Sequence, residues 1–333
     1  MPTATTPSPS AGRKTLAVLL LIPVVAALAL WVFAWPAARI APRDLPIGVA
    51  GPATAADAVE RGLDRHEGAF EIHRYADEAA ARSAVEARDV YGAVVVTPGG
   101  TRLLTASAGS PVVAGLLREA VAAQAPAGSP VQVTDVVAAP AGDPRGAAFG
   151  ASLLPLALVG AATGAATVLL GLRGSRAVAT LVGAAALAGI VGAALADSWL
   201  GVLAGAWWAE AGVLGLTVLA IGATFAGLAT LLGKPGFGLS AVLTILLGNA
   251  FSGMSSAPEM LPAGIGALGQ WLPPGAGGSA LRSVSAFDGA AAGGPLLVLS
   301  LWTAAGLTAT LLGARRSGAT ATPTPAPAPA LAG

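Results

Sequence analysis

The sequence predicts a polytopic α-helical membrane protein with six transmembrane helices and an extracytoplasmic α/β domain between helices 1 and 2. Composition predicts the membrane class, because hydrophobic residues fill 55% of the 333 positions and charged residues only 11%, whereas a soluble domain carries about 25% charged residues. The distribution of charge predicts the domain, because 13 of the 17 acidic residues fall between positions 36 and 147. The rest of the chain consists mostly of long apolar stretches.

The first transmembrane helix is predicted at 13–36. Arg13 and Lys14 precede about 21 apolar residues, which is long enough to cross a hydrocarbon core of about 30 Å. The stretch runs into Trp35 rather than ending at a small-residue cleavage site, so we interpret it as an uncleaved anchor. A cleaved signal peptide is the alternative, and it would leave five spans in the same orientation.

Residues 37–147 are predicted to form the α/β domain. Apolar stretches typical of strands alternate with amphipathic stretches in the order β-α-β-α-β-β-α-β. Asp77 and the Ser110-Pro111 pair are typical of helix N-termini. The strands are predicted at 45–51, 69–76, 90–96, 101–107 and 131–137, and the helices at 54–68, 77–89 and 110–124. Because the chain contains no cysteine, this domain must fold without disulfides.

Five further spans make up the predicted transmembrane domain, 148–316. They are predicted at 148–172, 177–196, 209–232, 237–257 and 294–314. The start of the fourth transmembrane helix is left open, because Trp199, Trp207 and Trp208 suit a membrane interface better than a helix centre.

Basic residues in the short connections predict the orientation. If Arg13 and Lys14 lie inside, so do Arg173, Arg176, Lys234, Arg315 and Arg316. The charged residues that then lie outside are Asp197, Glu210, Glu259, Arg282 and Asp288. Both termini are therefore predicted to be cytoplasmic and 37–147 extracytoplasmic, in the plasma membrane of a bacterial cell. The Pro- and Thr-rich ends, 1–12 and 317–333, are predicted to be disordered tails.

Polar residues are rare in the predicted spans. Asp197 and Glu210 are expected at wetted outer ends of spans, and no ionisable residue falls at a span centre, which disfavours a proton-coupled carrier. Asn249 and Ser252 are candidate polar contacts within the bundle or a dimer interface, because an amide in hydrocarbon needs a partner. For Asn249, a packing contact between helices and a contact to substrate both stay open.

The extracytoplasmic stretch 258–289 contains two segments that are each too short to span a membrane. We predict a pair of half-helices joined by Pro273-Pro274-Gly275, lying at or dipping into the outer leaflet as a lid over the bundle. An ordinary exposed loop is the alternative. The candidate lid residues are Pro258, Leu261, Pro262, Leu272, Pro273, Pro274, Gly275, Leu281 and Arg282.

These lid residues, followed by Phe287-Asp288-Gly289, resemble the ABC type 2 exporter permease superfamily, and within it the phage-infection-protein-like membrane proteins. The segment Asp143-Pro144-Arg145-Gly146 also resembles the exit from that family's outer domain. The resemblance covers residues 13–316. It implies a homodimeric or heterodimeric membrane subunit that moves a lipid, drug, peptide or polymer outward together with a separate ATPase.

Two functions therefore stay open. The first is this exporter subunit, in which Arg173, Arg176 and Lys234 are the candidate cytoplasmic residues that couple to the ATPase. The second is a non-transporting membrane scaffold or receptor, whose outer domain binds a cell-envelope or phage partner. The short link 173–176 favours the second function, because it offers an ATPase little surface to bind.

No enzyme activity and no cofactor are predicted for this chain. The nearest match to a P-loop, GLATLLGKP from Gly227, has five residues before Gly-Lys instead of four, and Pro235 replaces the required Ser or Thr. Two histidines without cysteine cannot build a metal site alone. A net charge of +1 gives no reason to expect nucleic acid as a partner.

Overall fold

A computed structural model describes residues 9–124 and 131–319 of the chain. Helices dominate the fold, and five of them are long and apolar enough to cross a membrane. These are Gly12–Ala37, Ala147–Leu169, Gly174–Trp199, Trp207–Leu232 and Gly293–Gly313. Five such helices indicate a membrane-embedded protein, and a small sheet lies between the first and second of them in the chain.

The terminal helices are longer than predicted. Helix α1 spans Pro9–Ala37, so it begins within the stretch 1–12 that was expected to be disordered. The last helix, α12, spans Gly293–Ala319 and enters the expected tail 317–333. Once an apolar span has nucleated a helix, each added residue gains a hydrogen bond at little further cost, which explains both extensions. The other residues of the two predicted tails lie outside the described part of the chain.

The eight elements of the α/β domain occur in the predicted order. They are β1 Leu45–Ala50, α2 Ala53–Leu63, β2 Phe70–Tyr75, α3 Glu78–Glu86, β3 Gly92–Thr97, β4 Gly100–Thr105, α4 Pro111–Gln124 and β5 Gln132–Asp135. The strand order is β2-β1-β3-β4-β5, with β3 and β4 paired as an antiparallel hairpin and the other neighbours parallel. Both predicted helix caps are present: Asp77 accepts a hydrogen bond from the Ala80 amide at 2.8 Å, and Ser110 Oγ accepts one from the Val113 amide at 3.2 Å.

The core on each face of the sheet is completed by residues from the region 251–289. Successive strand residues point to opposite faces, so the two faces have separate cores. Ala257 and Met260 belong to the core that also contains Leu45, Ile47, Val49, Leu63, Leu103 and Leu117. Phe287 belongs to the core that also contains Val85, Ala93, Val95 and Leu104. The domain is therefore packed onto the membrane part rather than tethered to it by a linker.

Helix α7, Trp207–Leu232, is the centre of the bundle, because 78% of its apolar window is buried against 6–28% for the other four candidate spans. It packs against α5, Ala147–Leu169, against α6, Gly174–Ala193, and against α12. Small residues permit these contacts. A methyl group added at Gly164 would lie 2.3 Å from the Gly222 carbonyl oxygen, and one added at Gly189 would lie 2.3 Å from that of Ala211.

The predicted span 237–257 was wrong in its extent. Its helical part runs from α8, Lys234–Ser240, through a π-helical stretch, Ala241–Leu247, to α9, Gly248–Ala250. At 1.5 Å per residue this is about 25 Å, short of a 30 Å hydrocarbon core. The chain then turns at Gly253, whose φ of 67° suits glycine. The helical stretch 234–250 is thus shorter than each of the five candidate spans.

Three of the seven basic residues expected on the cytoplasmic side, Arg173, Arg176 and Lys234, lie at one end of the bundle. Helix α5 leaves the α/β domain at Ala147, so the α5–α6 turn with Arg173 and Arg176 lies at the far end. Lys234 begins α8 directly after the C-terminus of α7, which runs in the same direction as α5. All three basic residues therefore lie at the end of the bundle opposite the α/β domain.

Candidate functional site

The stretch 258–289 folds into a 3₁₀ turn, Pro258–Met260, and two helices, α10 Ile265–Gln270 and α11 Pro273–Ala286. Two short helices agree with the predicted pair of half-helices and replace the alternative of an exposed loop. The predicted joint was wrong, because Pro273-Pro274-Gly275 forms the first turn of α11, where proline is favoured. The joint is at Trp271 and Leu272 instead.

Helix α11 is enclosed by the rest of the protein. Its glycines allow neighbouring elements to approach closely on several sides. A methyl group added at Gly277 would lie 2.5 Å from the Thr217 side chain, and one added at Gly278 would lie 2.2 Å from the Met254 sulfur. Leu272, Pro273, Pro274, Gly275 and Leu281 are all buried in this packing. The Gly-rich composition of this stretch therefore serves close packing of α11 against α7 and the turn after α9.

A cavity of about 670 Å³ lies where the α/β domain meets the bundle. We call it the interface cavity. The α/β domain contributes Arg43, Arg88 and Tyr91 to its wall, the stretch before α11 contributes Glu259, Gln270 and Trp271, and α11 and α12 contribute Ser279, Arg282, Leu297 and Leu301. Its volume falls within the usual range of small-molecule sites. Among the predicted lid residues, Pro258, Leu261, Pro262 and Arg282 line the interface cavity.

Arg282 is the most deeply buried charge of the interface cavity, with 5% of its surface exposed. One Nη donates a hydrogen bond to the Met254 carbonyl oxygen at 3.0 Å, and the guanidinium carbon lies 4.9 Å from the centroid of the Phe149 ring. Burial lowers the pKa of Arg282 to about 10, so the guanidinium is still charged at neutral pH.

Arg88 reaches the same helix from the α/β domain. Its Nη1 donates hydrogen bonds to the Ser279 carbonyl oxygen at 3.1 Å and to Ser283 Oγ, and its guanidinium carbon lies 5.2 Å from the centroid of the Phe287 ring. Its φ is 64°, which is uncommon for a residue other than glycine. Burial lowers the pKa of Arg88. Arg88 and Arg282 thus bring a half-buried and a buried positive charge to one cavity.

Glu259 supplies a negative charge to the interface cavity, and a hydrogen bond from Tyr91 positions its carboxylate. The Tyr91 hydroxyl donates a hydrogen bond of 2.8 Å to Glu259 Oε2. Burial, and to a smaller extent the charge of Glu259, raise the pKa of Tyr91, so the phenol stays protonated as the donor. The four ion pairs within 4.0 Å in residues 9–124 and 131–319 involve neither Glu259 nor Arg88 nor Arg282.

One wall of the interface cavity is apolar and reaches the outside of the bundle. Leu297 and Leu301 lie on α12 and are 60% and 55% exposed, and Trp271 is 66% exposed. The Trp302 indole nitrogen of α12 donates a hydrogen bond to the Trp271 carbonyl oxygen at 2.8 Å, which fixes this wall. The interface cavity therefore joins the guanidinium groups of Arg88 and Arg282 to the apolar surface of a candidate membrane span.

The remaining candidate residues lie elsewhere. Ser252 is buried and donates a hydrogen bond to the Asn249 carbonyl oxygen at 2.8 Å, whereas the Asn249 side chain is half-buried. Neither lines the interface cavity. Sequence reasoning missed Arg88 and Tyr91, because nothing in the sequence indicates which residues of the α/β domain face the bundle.

The expectation that Glu210 is wetted was wrong. Its side chain is fully buried, its Oε1 accepts a hydrogen bond from the Gly205 amide at 2.8 Å, and its Oε2 has no partner within the described ranges. The loop before α7 folds back over the helix end and so removes this carboxyl from solvent. Asp197, the other residue expected at a wetted span end, is half-buried.

Comparison of the chain with protein-family models, with curated proteins and with solved structures gives no match. The geometry of the interface cavity therefore carries the functional argument.

Proposed function

We propose that this chain is the membrane subunit of an exporter, which moves an amphipathic molecule outward together with a separate ATPase. The observation that carries this proposal is the interface cavity, because the α/β domain and the membrane bundle build it jointly. A change in the packing between these two parts would open or close the cavity. The resemblance to the ABC type 2 exporter permeases supports the same function.

The proposed orientation places the α/β domain outside a bacterial plasma membrane and both termini in the cytoplasm. Six spans are then required, with the helical stretch 234–250 as a short fifth one. Arg173, Arg176 and Lys234 support this orientation, because they lie together at the end of the bundle away from the α/β domain. In this proposal they form the coupling surface for the ATPase, and two copies of the chain form the transport unit.

The test is purification of the chain from its native membranes in mild detergent, followed by an assay for a co-purifying ATPase. We expect a stoichiometric ATPase whose turnover depends on the chain. The double variant Arg173→Glu, Arg176→Glu should lose that ATPase while it keeps the thermal stability of the wild type. A matched control, Arg65→Glu with Arg118→Glu, places the same charge change on exposed positions of the α/β domain and should retain the ATPase.

A scaffold or receptor is the second candidate function. The observation that favours it is the small size of the links at the proposed cytoplasmic end, where only 170–173 separate α5 from α6 and only Gly233 separates α7 from α8. Recovery of the intact chain without any ATPase would favour this second function and contradict the first.

A further inference from the structure

We propose that the interface cavity binds an anionic amphiphile that enters sideways from the membrane, with the anionic headgroup at Arg88 and Arg282 and the apolar chain against α12. This inference names the substrate class of the proposed exporter and rests on the proposed function for its biological meaning. The binding itself is a property of the cavity and can be measured without transport.

The charge of the interface cavity favours an anion. Its wall carries three arginines, Arg43, Arg88 and Arg282, and two carboxylates, Asp44 and Glu259. Asp44 is exposed to solvent, and Glu259 is held by Tyr91. Glu259 interacts electrostatically with both Arg88 and Arg282, but one carboxylate leaves the two guanidinium groups with a net positive charge. An anion that approaches Arg88 and Arg282 would therefore stabilise the site.

Arg43 and Arg282 differ in how many of their N–H donors make hydrogen bonds within the protein. The Arg43 guanidinium donates to three carbonyl oxygens, those of Arg39, Ala41 and Met260, so it serves to fix the chain. Arg282 makes one hydrogen bond, to Met254, and its other N–H donors have no partner in the part of the chain that the structure describes. A guanidinium has five N–H donors arranged to match a phosphate or carboxylate. Arg282 is therefore 95% buried, lines the interface cavity and has donors to spare.

The apolar wall favours an amphiphile over a soluble anion. The interface cavity extends along α12 from Gly294 to Leu301, which is about 10 Å of helix. Over this length the exposed Leu297 and Leu301 belong to a candidate membrane span. A small anion would use only the arginine end, whereas a lipid would cover both parts of the wall. With the α/β domain outside, this lipid belongs to the outer leaflet.

The experiment measures lipid retention by native mass spectrometry. The purified full-length chain is titrated in detergent with dioleoyl phosphatidylglycerol, and in parallel with dioleoyl phosphatidylcholine, which has the same chains and no net charge. We expect one phosphatidylglycerol per chain to be retained at least about tenfold more tightly than phosphatidylcholine, as for other charge-assisted guanidinium contacts. Equal retention of the two lipids would overturn the proposal.

Two variants test the arginines. Arg282→Lys keeps the charge and removes the forked donors. Arg88→Asn removes the charge with a residue that tolerates a positive φ better than most, so the backbone at this position is preserved. Each should weaken phosphatidylglycerol retention about tenfold and leave phosphatidylcholine retention unchanged. The control, Arg118→Gln, removes an exposed arginine of the same domain outside the cavity wall and should bind like the wild type.

Inorganic phosphate distinguishes a lipid headgroup from a free anion. We expect it to compete with phosphatidylglycerol only at millimolar concentration, because it lacks the apolar contacts. Competition at the same concentration as the lipid would overturn the amphiphile assignment. Unchanged phosphatidylglycerol retention in both arginine variants, with thermal unfolding like the wild type, would overturn the site. Since no ATPase is present, these results do not depend on whether the chain is an exporter.

Discussion

Tyr91 and Glu259 join the α/β domain to the stretch before α11 through a single hydrogen bond of 2.8 Å, across 168 positions of sequence. Tyr91 precedes β3, and Glu259 lies in the 3₁₀ turn after the bundle's short helix. Backbone hydrogen bonds strengthen the same junction, because the Ala41 and Arg43 amides donate to the Met260 and Glu259 carbonyl oxygens at 3.0 Å. Tyr91 thus helps to fix the wall of the interface cavity. Of the two carboxylates in that wall, only Glu259 accepts a hydrogen bond from a protein donor among the described residues.

Tyr91→Phe should lower the free energy of unfolding by about 1–3 kcal/mol, because it leaves a half-buried carboxylate without its donor. Chemical unfolding in detergent measures the change. Tyr75→Phe is the matched control, since no hydrogen bond of the Tyr75 hydroxyl occurs within the described residues, and it should change stability by under about 0.5 kcal/mol. Equal losses in both variants would contradict the role of the Tyr91–Glu259 hydrogen bond.

The same pair predicts a dependence of stability on pH. Burial raises the folded-state pKa of Tyr91 above its ordinary value of 10.0, so the stabilisation is fully present below pH 10 and is lost as the pH rises above it. The free energy of unfolding of the wild type should therefore fall between pH 10 and pH 12 more steeply than that of Tyr91→Phe. Parallel pH profiles for the two proteins would show that Tyr91 is not the responsible group.

Two glycines of α6 provide a test of the bundle packing. An added methyl group at Gly189 would lie 2.3 Å from the Ala211 carbonyl oxygen, whereas one at Gly183 meets no atom within 4 Å. Gly189→Ala should therefore push α6 away from α7 and lower stability by about 1–3 kcal/mol. Gly183→Ala should be neutral or slightly stabilising, because alanine is the better helix former. Thermal unfolding in detergent compares the two; the reverse order would contradict the α6–α7 contact.

Glu210 offers a test of the loop that covers the start of α7. Glu210→Gln keeps an oxygen that can accept the Gly205 amide, whereas Glu210→Ala leaves that amide unpaired. We expect Glu210→Ala to lose about 1–3 kcal/mol more stability than Glu210→Gln, as for other buried donors that lose their partner. If the two variants unfold at the same temperature, the Gly205–Glu210 hydrogen bond contributes nothing to stability.

Cysteine labelling tests the orientation of the chain in the membrane. Because the chain has no cysteine of its own, only the introduced cysteine can react. Ala263 is exposed beside the interface cavity, and Ser175 is exposed at the opposite end of the bundle. With a membrane-impermeant maleimide, Ala263→Cys should react in intact cells, and Ser175→Cys only after lysis. Labelling of Ser175→Cys in intact cells would reverse the orientation on which the proposed function depends.

The sequence predicts local structure well where a short pattern determines it. The eight elements of the α/β domain, the Asp77 cap and the end of α7 at Leu232 all follow from hydrophobic periodicity and capping residues. The sequence predicts structure poorly where residues that are far apart in the chain come into contact. The burial of Glu210 depends on a loop folding back, and the end of the helix at Ala250 depends on the close packing of Gly253 against Pro258.

The candidate site shows the same division. Arg282, Pro258, Leu261 and Pro262 were predicted, because they belong to one unusual stretch of sequence. Arg88 was not, since it is one of many charged residues in the α/β domain, and only the docking of that domain brings it to Ser279 and Ser283. Its positive φ, a feature that no sequence pattern indicates, is the local signal of its special position.

The contribution of Met260 and Phe287 to the two cores of the α/β domain has a consequence for biosynthesis. The ribosome completes β5 at Asp135 more than a hundred residues before it adds these side chains, which corresponds to roughly ten seconds of translation. During that interval both apolar faces of the sheet lack part of their cover, so in the proposed orientation we expect the nascent domain to depend on an extracytoplasmic holdase. A secreted fragment that ends at 147 should therefore aggregate or be degraded, and its recovery as a stable soluble protein would refute this expectation.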